Sequence, residues 1–271
     1  MHDRNANRPL RFGVVTPPRT DIRAWRDDVR RMADTGFSTL LMPDIRMLPA
    51  PGPTLAVAAT LTDTRVGTWV YASPYRPPWS VAWEAHSLSL LTDGRFEFGI
   101  GTGRPGIEDE LRELGDDAAP PRQRVDDVRE AVRSLRELDG ENVRTPVAMA
   151  VRGPKARAVA AELADIVTIV GLPADSRAVV GELAASFSGA DVELALHVPV
   201  VGDVVEPFMT GPDTDPAALH AADSLLALPV DPAAAGEEIL RRRAEYGFTY
   251  FVIGSLAAEA LAPVVAELAG K

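Results

Sequence analysis

The chain has 271 residues, 46% of them hydrophobic, and its 28 Lys and Arg against 39 Asp and Glu give a formal charge of −11 and a pI near 4.9. That is enough apolar material for a full core, and the acidic balance argues against the basic face that nucleic-acid binding requires. Cysteine is absent, which excludes disulfides, thiolate metal sites, iron–sulfur clusters and a cysteine nucleophile.

Short β-like runs alternate with amphipathic helical patterns along the whole chain. LRFGVV (10–15) precedes a helix over 21–35 and STLLM (38–42) precedes one over 54–62. RVGTWVY (65–71) leads to a helix over 79–91, FEFGIG (96–101) to a long helix over 121–138, and PVAMA (146–150) to one over 154–164. DIVTIV (165–170), VELALHVPV (192–200) and FTYFVIG (248–254) follow, with helices over 175–187, 232–246 and 256–269. Eight strands, each followed by a helix in this length, predict an α/β fold, a single (β/α)8 TIM barrel over residues 1–271. The alternative is an open doubly wound sheet. Segment 201–230 exceeds a simple connection; it is expected to form a lid carrying a helix over 216–227, with 201–214 a mobile loop that orders on substrate binding.

The four histidines, His2, His86, His197 and His220, show no metal-ligand spacing, so no metal site is expected. The polar start MHDRNANRPL and the lack of an eighteen-residue apolar run predict neither a signal peptide nor a membrane span, and hence a cytoplasmic protein.

In such a barrel the site lies at the C-terminal ends of the strands. On the fourth strand, period-two alternation turns Phe96, Phe98 and Ile100 toward the helices and Glu97, Gly99 and Gly101 into the barrel. A strand face without side chains lets a flat ring or a phosphate approach the backbone, and Gly103 and Gly106 let Thr102 and Arg104 turn over that space. A tight turn required only for packing is the equal alternative. Val151, Arg152 and Gly153 precede a helix start at Pro154, where free N–H groups favour an anion. Asp44 ends the second strand, placed either for a ring nitrogen or water, or to cap the turn before Ile45 and Arg46. His197, near the end of its strand, is either a proton donor or a packing residue. His86, on the outer helix, is expected to be structural. Trp69, Tyr71, Tyr75 and Trp79 are expected to wall a pocket.

GRFEFGIGTG (94–103), preceded by VGTWV (66–70), YRPPW (75–79) and VAWEAHSLSLL (81–91), resembles the luciferase-like monooxygenase superfamily, above all its deazaflavin-dependent oxidoreductase branch. MADTGFSTLLMPD (32–44), TPVAMAVRGPKARAVAAELADIVTIV (145–170) and EYGFTYFVIG (245–254) extend the resemblance over nearly the whole chain. It implies coenzyme F420, or alternatively reduced FMN, across the barrel mouth, with its phosphate near Val151–Gly153. It further implies a small organic substrate, a homodimer, and a non-prolyl cis bond at Trp69–Val70 beneath the cofactor ring.

Three departures qualify the carry-over. Arg152 replaces the first of two glycines at the phosphate turn, and Ile45 stands where some members have His. Arg104 stands where sugar-phosphate dehydrogenase members have a catalytic Glu, so sugar-phosphate oxidation is not expected. Arg104 is then a cation for a carboxylate, phosphate or reduced ring, or else an ion pair with Glu108 or Asp109. The functional expectation is F420-dependent hydride transfer, the alternatives being an FMN and oxygen-dependent monooxygenase or a barrel that binds a ligand without catalysis.

Overall fold

The computed structural model describes residues 8–19, 21–211 and 213–271; His2 lies outside them. Eight parallel strands close into a barrel: β1 (Arg11–Val15), β2 (Thr39–Met42), β3 (Arg65–Thr68), β5 (Phe96–Gly101), β6 (Val147–Val151), β7 (Ile166–Ile169), β8 (Glu193–Val198) and β12 (Phe248–Gly254). Closure is made by β1 against β12 and by β3 against β5. The run 65–71 is not one strand. It breaks at a cis Trp69–Val70 bond and resumes as β4 (Tyr71–Ala72), which pairs with Ile100 and Gly101.

Helices α1 (Ile22–Asp34), α2 (Pro51–Ala59), α3 (Pro78–Leu91), α5 (Pro121–Asp139), α6 (Pro154–Leu163), α7 (Arg177–Ala185), α9 (Pro232–Tyr246) and α10 (Ala258–Leu268) surround the barrel, with a short α4 (Ile107–Glu113) between β5 and α5. Their ends follow from local chemistry. Asp21 and Asp231 accept from the first-turn N–H groups of α1 and α9, proline opens α3, α5, α6 and α9, and Gly247 at φ 76° ends α9. The charged run of α5 is an amphipathic outer face whose Val128, Ala131, Val132 and Leu135 are buried.

Phe96, Phe98 and Ile100 join the main core between strands and helices, as their alternation predicts. A smaller cluster, Val15, Leu41, Ala148, Ile166, Ala195, Tyr250 and Val252, fills the barrel, and Trp69 and Met209 pack on it.

Segment 201–230 differs from its expected helix. Helix α8 (Pro216–Ala221) stops early because Asp223 takes φ 49°, and the following residues form β11 (Ala227–Leu228) beside the hairpin β9 (Val200–Val201) and β10 (Val204–Val205). The Arg242 guanidinium holds that turn, donating to Leu225 O and Ala227 O at 2.8 and 2.5 Å. Among the described residues, no helix is long and apolar enough to cross a membrane.

Candidate active site

The strand register sorts the interior into levels. At the N-terminal end, charged side chains at inward positions of four strands meet one another. Arg11 donates to Glu97 at 2.7 Å and to both oxygens of Glu193 at 2.7 to 2.9 Å, and Arg65 donates to Glu97 at 3.0 Å. Arg11 also lies 3.6 Å from the Tyr250 ring centroid. Burial disfavours its charge, but Glu97, Tyr250 and Glu193 outweigh that and hold its pKa above the ordinary arginine value. This end reads as stability, since the chemistry of such barrels lies at the other.

At the C-terminal end, Val70, Gly101, Ala150 and Thr168 form a contiguous row. Gly101 pairs with Ala150, Ala150 with Thr168, and a Cβ on Gly101 would lie 3.1 Å from Val70 Cγ2. The Thr168 hydroxyl is buried and has no hydrogen-bond partner among the described residues. One level down, glycine is required for packing. A Cβ on Gly99 would lie 2.0 Å from the Thr68 carbonyl oxygen, and the Thr68 hydroxyl both donates to Gly99 O and accepts from Gly99 N. The strand therefore carries two kinds of glycine: Gly99 admits the bulge that the neighbouring strand makes where it breaks at Thr68–Val70, and Gly101 keeps the mouth open.

His197 shares the inward face of β8 with Glu193 and Ala195. Burial pushes its imidazole down to about 4, against a hydrogen bond to the Ile169 carbonyl that favours the proton. Near neutral pH it is an uncharged ring, with one nitrogen donating to Ile169 and the other an acceptor, rather than an imidazolium ready to donate.

Other predicted residues are held by partners that the sequence did not reveal. Asp44 accepts two hydrogen bonds from Arg76, at 2.6 and 3.0 Å, and one from Ala72 N at 3.0 Å, so it ties two mouth loops together instead of capping Ile45 and Arg46. Arg104 pairs with Glu110 at 2.6 Å and reaches the Tyr75 hydroxyl, whose proton goes to Glu110. The residues expected to pair with it are taken elsewhere, Glu108 by Arg124 and Asp109 by Arg112. Gly103, at φ 95° with a Cβ that would meet Ile107 at 2.9 Å, makes the turn that Thr102 enters, and Thr102 O accepts from Arg124.

At the expected phosphate turn, Val151 ends β6 and Gly153 precedes α6 with open space where a side chain would stand. Arg152 is committed to Asp175 through two bonds of 2.6 and 2.9 Å, and to Val170 O. The bond to Asp175 raises the arginine's pKa, and its counterpart lowers the carboxyl's.

The aromatic group does not form one pocket wall. Trp69 points inward, edge-on to Tyr250 with centroids 6.1 Å apart. Tyr71 turns outward beyond the bulge, is buried and donates to Glu84 at 2.7 Å, while Trp79 is 62% exposed on α3. His86 accepts or donates at 2.8 Å with Asp139 beneath the outer helices, a structural role. Two surface clefts of about 450 and 630 Å³ lie elsewhere, one beside α9 and His220 and one below β2 and β3.

Similar solved structures include the coenzyme F420-dependent tetrahydromethanopterin reductase of Methanopyrus kandleri (16% identity, 96% of this chain and 98% of that one, TM-score 0.70). Another is the FMN-bound oxygenating constituent of 3,6-diketocamphane monooxygenase from Pseudomonas putida (16%, 97% and 99%, TM-score 0.67). At these identities the likeness is one of fold. A 100-residue stretch, 37% of this chain, is 32% identical to 4-hydroxyprotoasukamycin monooxygenase of Streptomyces nodosus subsp. asukaensis and spans 24% of that protein's length. The profile described as luciferase-like monooxygenase matches residues 10–204, and the chain belongs to that family.

Proposed function

We propose that this chain is a cytoplasmic oxidoreductase that holds coenzyme F420 across the barrel mouth and passes hydride to or from a small organic substrate. The observation that carries the reading is the row Val70, Gly101, Ala150 and Thr168, a seat of small side chains into which a flat ring can settle where Gly101 lacks a Cβ. When bound, the cofactor supplies the hydride chemistry; the protein supplies position and a dry pocket. Trp69 would wall the ring, the Thr168 hydroxyl would offer it a hydrogen bond, and the free nitrogen of His197 would accept one from cofactor or substrate.

The start of α6 would hold the phosphate through backbone N–H groups. The charge of Arg152 is committed to Asp175, and the first turn itself carries two further cations, Lys155, exposed, and Arg157, half-buried. Parallel fluorescence titrations with F420 and FMN test the reading: micromolar F420 binding tighter than FMN is expected, and binding of neither overturns it. The second reading, reduced FMN acting with oxygen, is favoured by the FMN bound in the Pseudomonas relative; oxygen consumption with reduced FMN would select it. For the homodimer that the family resemblance implies, the supporting feature is the exposed stripe Trp79, Trp83 and Leu90 along α3.

A further inference from the structure

Glu206, in segment 201–230, brings a carboxylate into the barrel mouth. It directly follows β10, and its backbone N–H donates to Pro199 O at 2.8 Å, which anchors it beyond the end of β8. Its side chain runs over Gly254, the inward last residue of β12. A Cβ on Gly254 would lie 2.4 Å from both Cγ and Oε2 of Glu206, so only glycine leaves room for the carboxylate there. Glu206 is 2% exposed. Oε1 accepts from Arg19 Nη2 at 2.5 Å, Arg19 standing in the loop after β1. Oε2 is buried and has no hydrogen-bond partner among the described residues. A buried acceptor left without a donor is costly, and native proteins leave few of them.

Apolar side chains stand nearby: the Phe208 ring centroid lies 5.1 Å from the Arg19 guanidinium, and Met209 packs on the interior cluster together with Trp69. In strand order, β12 and β1 stand diametrically across the barrel from β5 and β6. The carboxylate and the Gly101–Ala150 seat therefore stand on opposite sides of the barrel mouth.

We propose that Glu206 is the specificity-determining residue of the substrate pocket, its Oε2 accepting a hydrogen bond from a neutral hydroxyl or N–H group on an otherwise apolar substrate. An ammonium ion fits less well, because Arg19 already balances the carboxylate and repels a second cation. A group that only accepts, such as a ketone, meets a second lone pair. This assignment rests on the mouth being the ligand site.

Cyclohexanol and cyclohexanone, close in size and differing in the donor, are the probes, with affinities read by ligand-observed NMR on protein loaded with whichever of F420 and FMN binds. Wild-type protein is expected to prefer the alcohol by about tenfold or more. In Glu206→Gln, Arg19 can only donate, so the amide oxygen turns to Arg19 and the NH2 faces the mouth, and the preference falls to about one. Gly254→Ala, at φ −83° and ψ 149°, a backbone any residue adopts, displaces the carboxylate without removing a polar group and should also abolish the preference. Equal wild-type affinities, failure of the loaded protein to bind either probe, or a preference that survives in either variant overturns the proposal. If neither cofactor binds, the cofactor reading fails instead, and the same ratios measured on the cofactor-free protein decide the role of Glu206.

Discussion

Replacing Gly99 and Gly101 by alanine, one at a time, separates the two uses of the glycine strand. At Gly99 the new Cβ would sit 2.0 Å from the Thr68 carbonyl oxygen, a backbone atom, and 3.0 Å from Val70 Cγ1. Relief requires moving the bulge, which also opens the two hydrogen bonds between Thr68 Oγ1 and Gly99, of 2.7 and 2.9 Å. Overpacking of a filled core costs about 1–3 kcal/mol, and each lost bond about 1 kcal/mol, so Gly99→Ala should lose roughly 3–5 kcal/mol. At Gly101 the nearest atom is a methyl of Val70, at 3.1 Å, and the next is 3.5 Å away. A methyl can shift by a few tenths of an ångström, so Gly101→Ala should cost less than about 1 kcal/mol. It places a methyl in the ring's seat, however, and cofactor affinity should fall about tenfold or more. Urea unfolding gives the first quantity and the fluorescence titration the second. A Gly99→Ala protein within 1 kcal/mol of wild type, or a Gly101→Ala protein that is destabilised equally, would refute the division.

The pH dependence of stability should report His197. Its folded-state pKa, about 4, lies below the ordinary value near 6.5, so the unfolded chain binds the proton first as pH falls. Stability is full above pH 6.5 and declines toward pH 4 by up to about 3 kcal/mol from this group; His197→Gln should flatten that part of the profile, and an unchanged slope would count against the neutral ring. Arg11→Met leaves Glu97 and Glu193 without their shared cation, which should cost about 3–5 kcal/mol and lower the melting temperature by about 10 °C; an unchanged melting temperature would contradict the ionic floor. Arg104→Gln should change stability by less than about 1 kcal/mol, since its pair with Glu110 is 35% and 29% exposed, and leave cofactor affinity within about twofold. A tenfold loss of affinity with unchanged melting would return Arg104 to the ligand. Trp83→Asp, placing a charge on the exposed α3 stripe, should shift sedimentation from dimer to monomer, and a wild type that is monomeric would dispose of that interface.

Hydrophobic periodicity in the sequence carried the barrel, because alternation along a strand and the 3.6-residue repeat of a helix are local properties that composition expresses directly. Phe96 to Gly101, with its outward aromatics and inward glycines, was legible residue by residue. So were the helix starts at Pro121, Pro154 and Pro232, where proline sets the first turn. What each polar side chain does was not legible, because its partner comes from another strand or loop. Asp44 found Arg76, Arg152 found Asp175, and Arg104 found Glu110 rather than its nearer neighbours. Inward charges on four strands, Arg11, Arg65, Glu97 and Glu193, were a readable signal of the ionic floor, whereas nothing local marks Glu206 or Thr168. The sequence by itself determined which faces are buried and where the chain turns. Only barrel closure decided which charges neutralise one another, which hydroxyl and carboxylate oxygens are left unpaired, and hence where a ligand has hydrogen bonds to make, because those depend on distances between segments up to 187 positions apart.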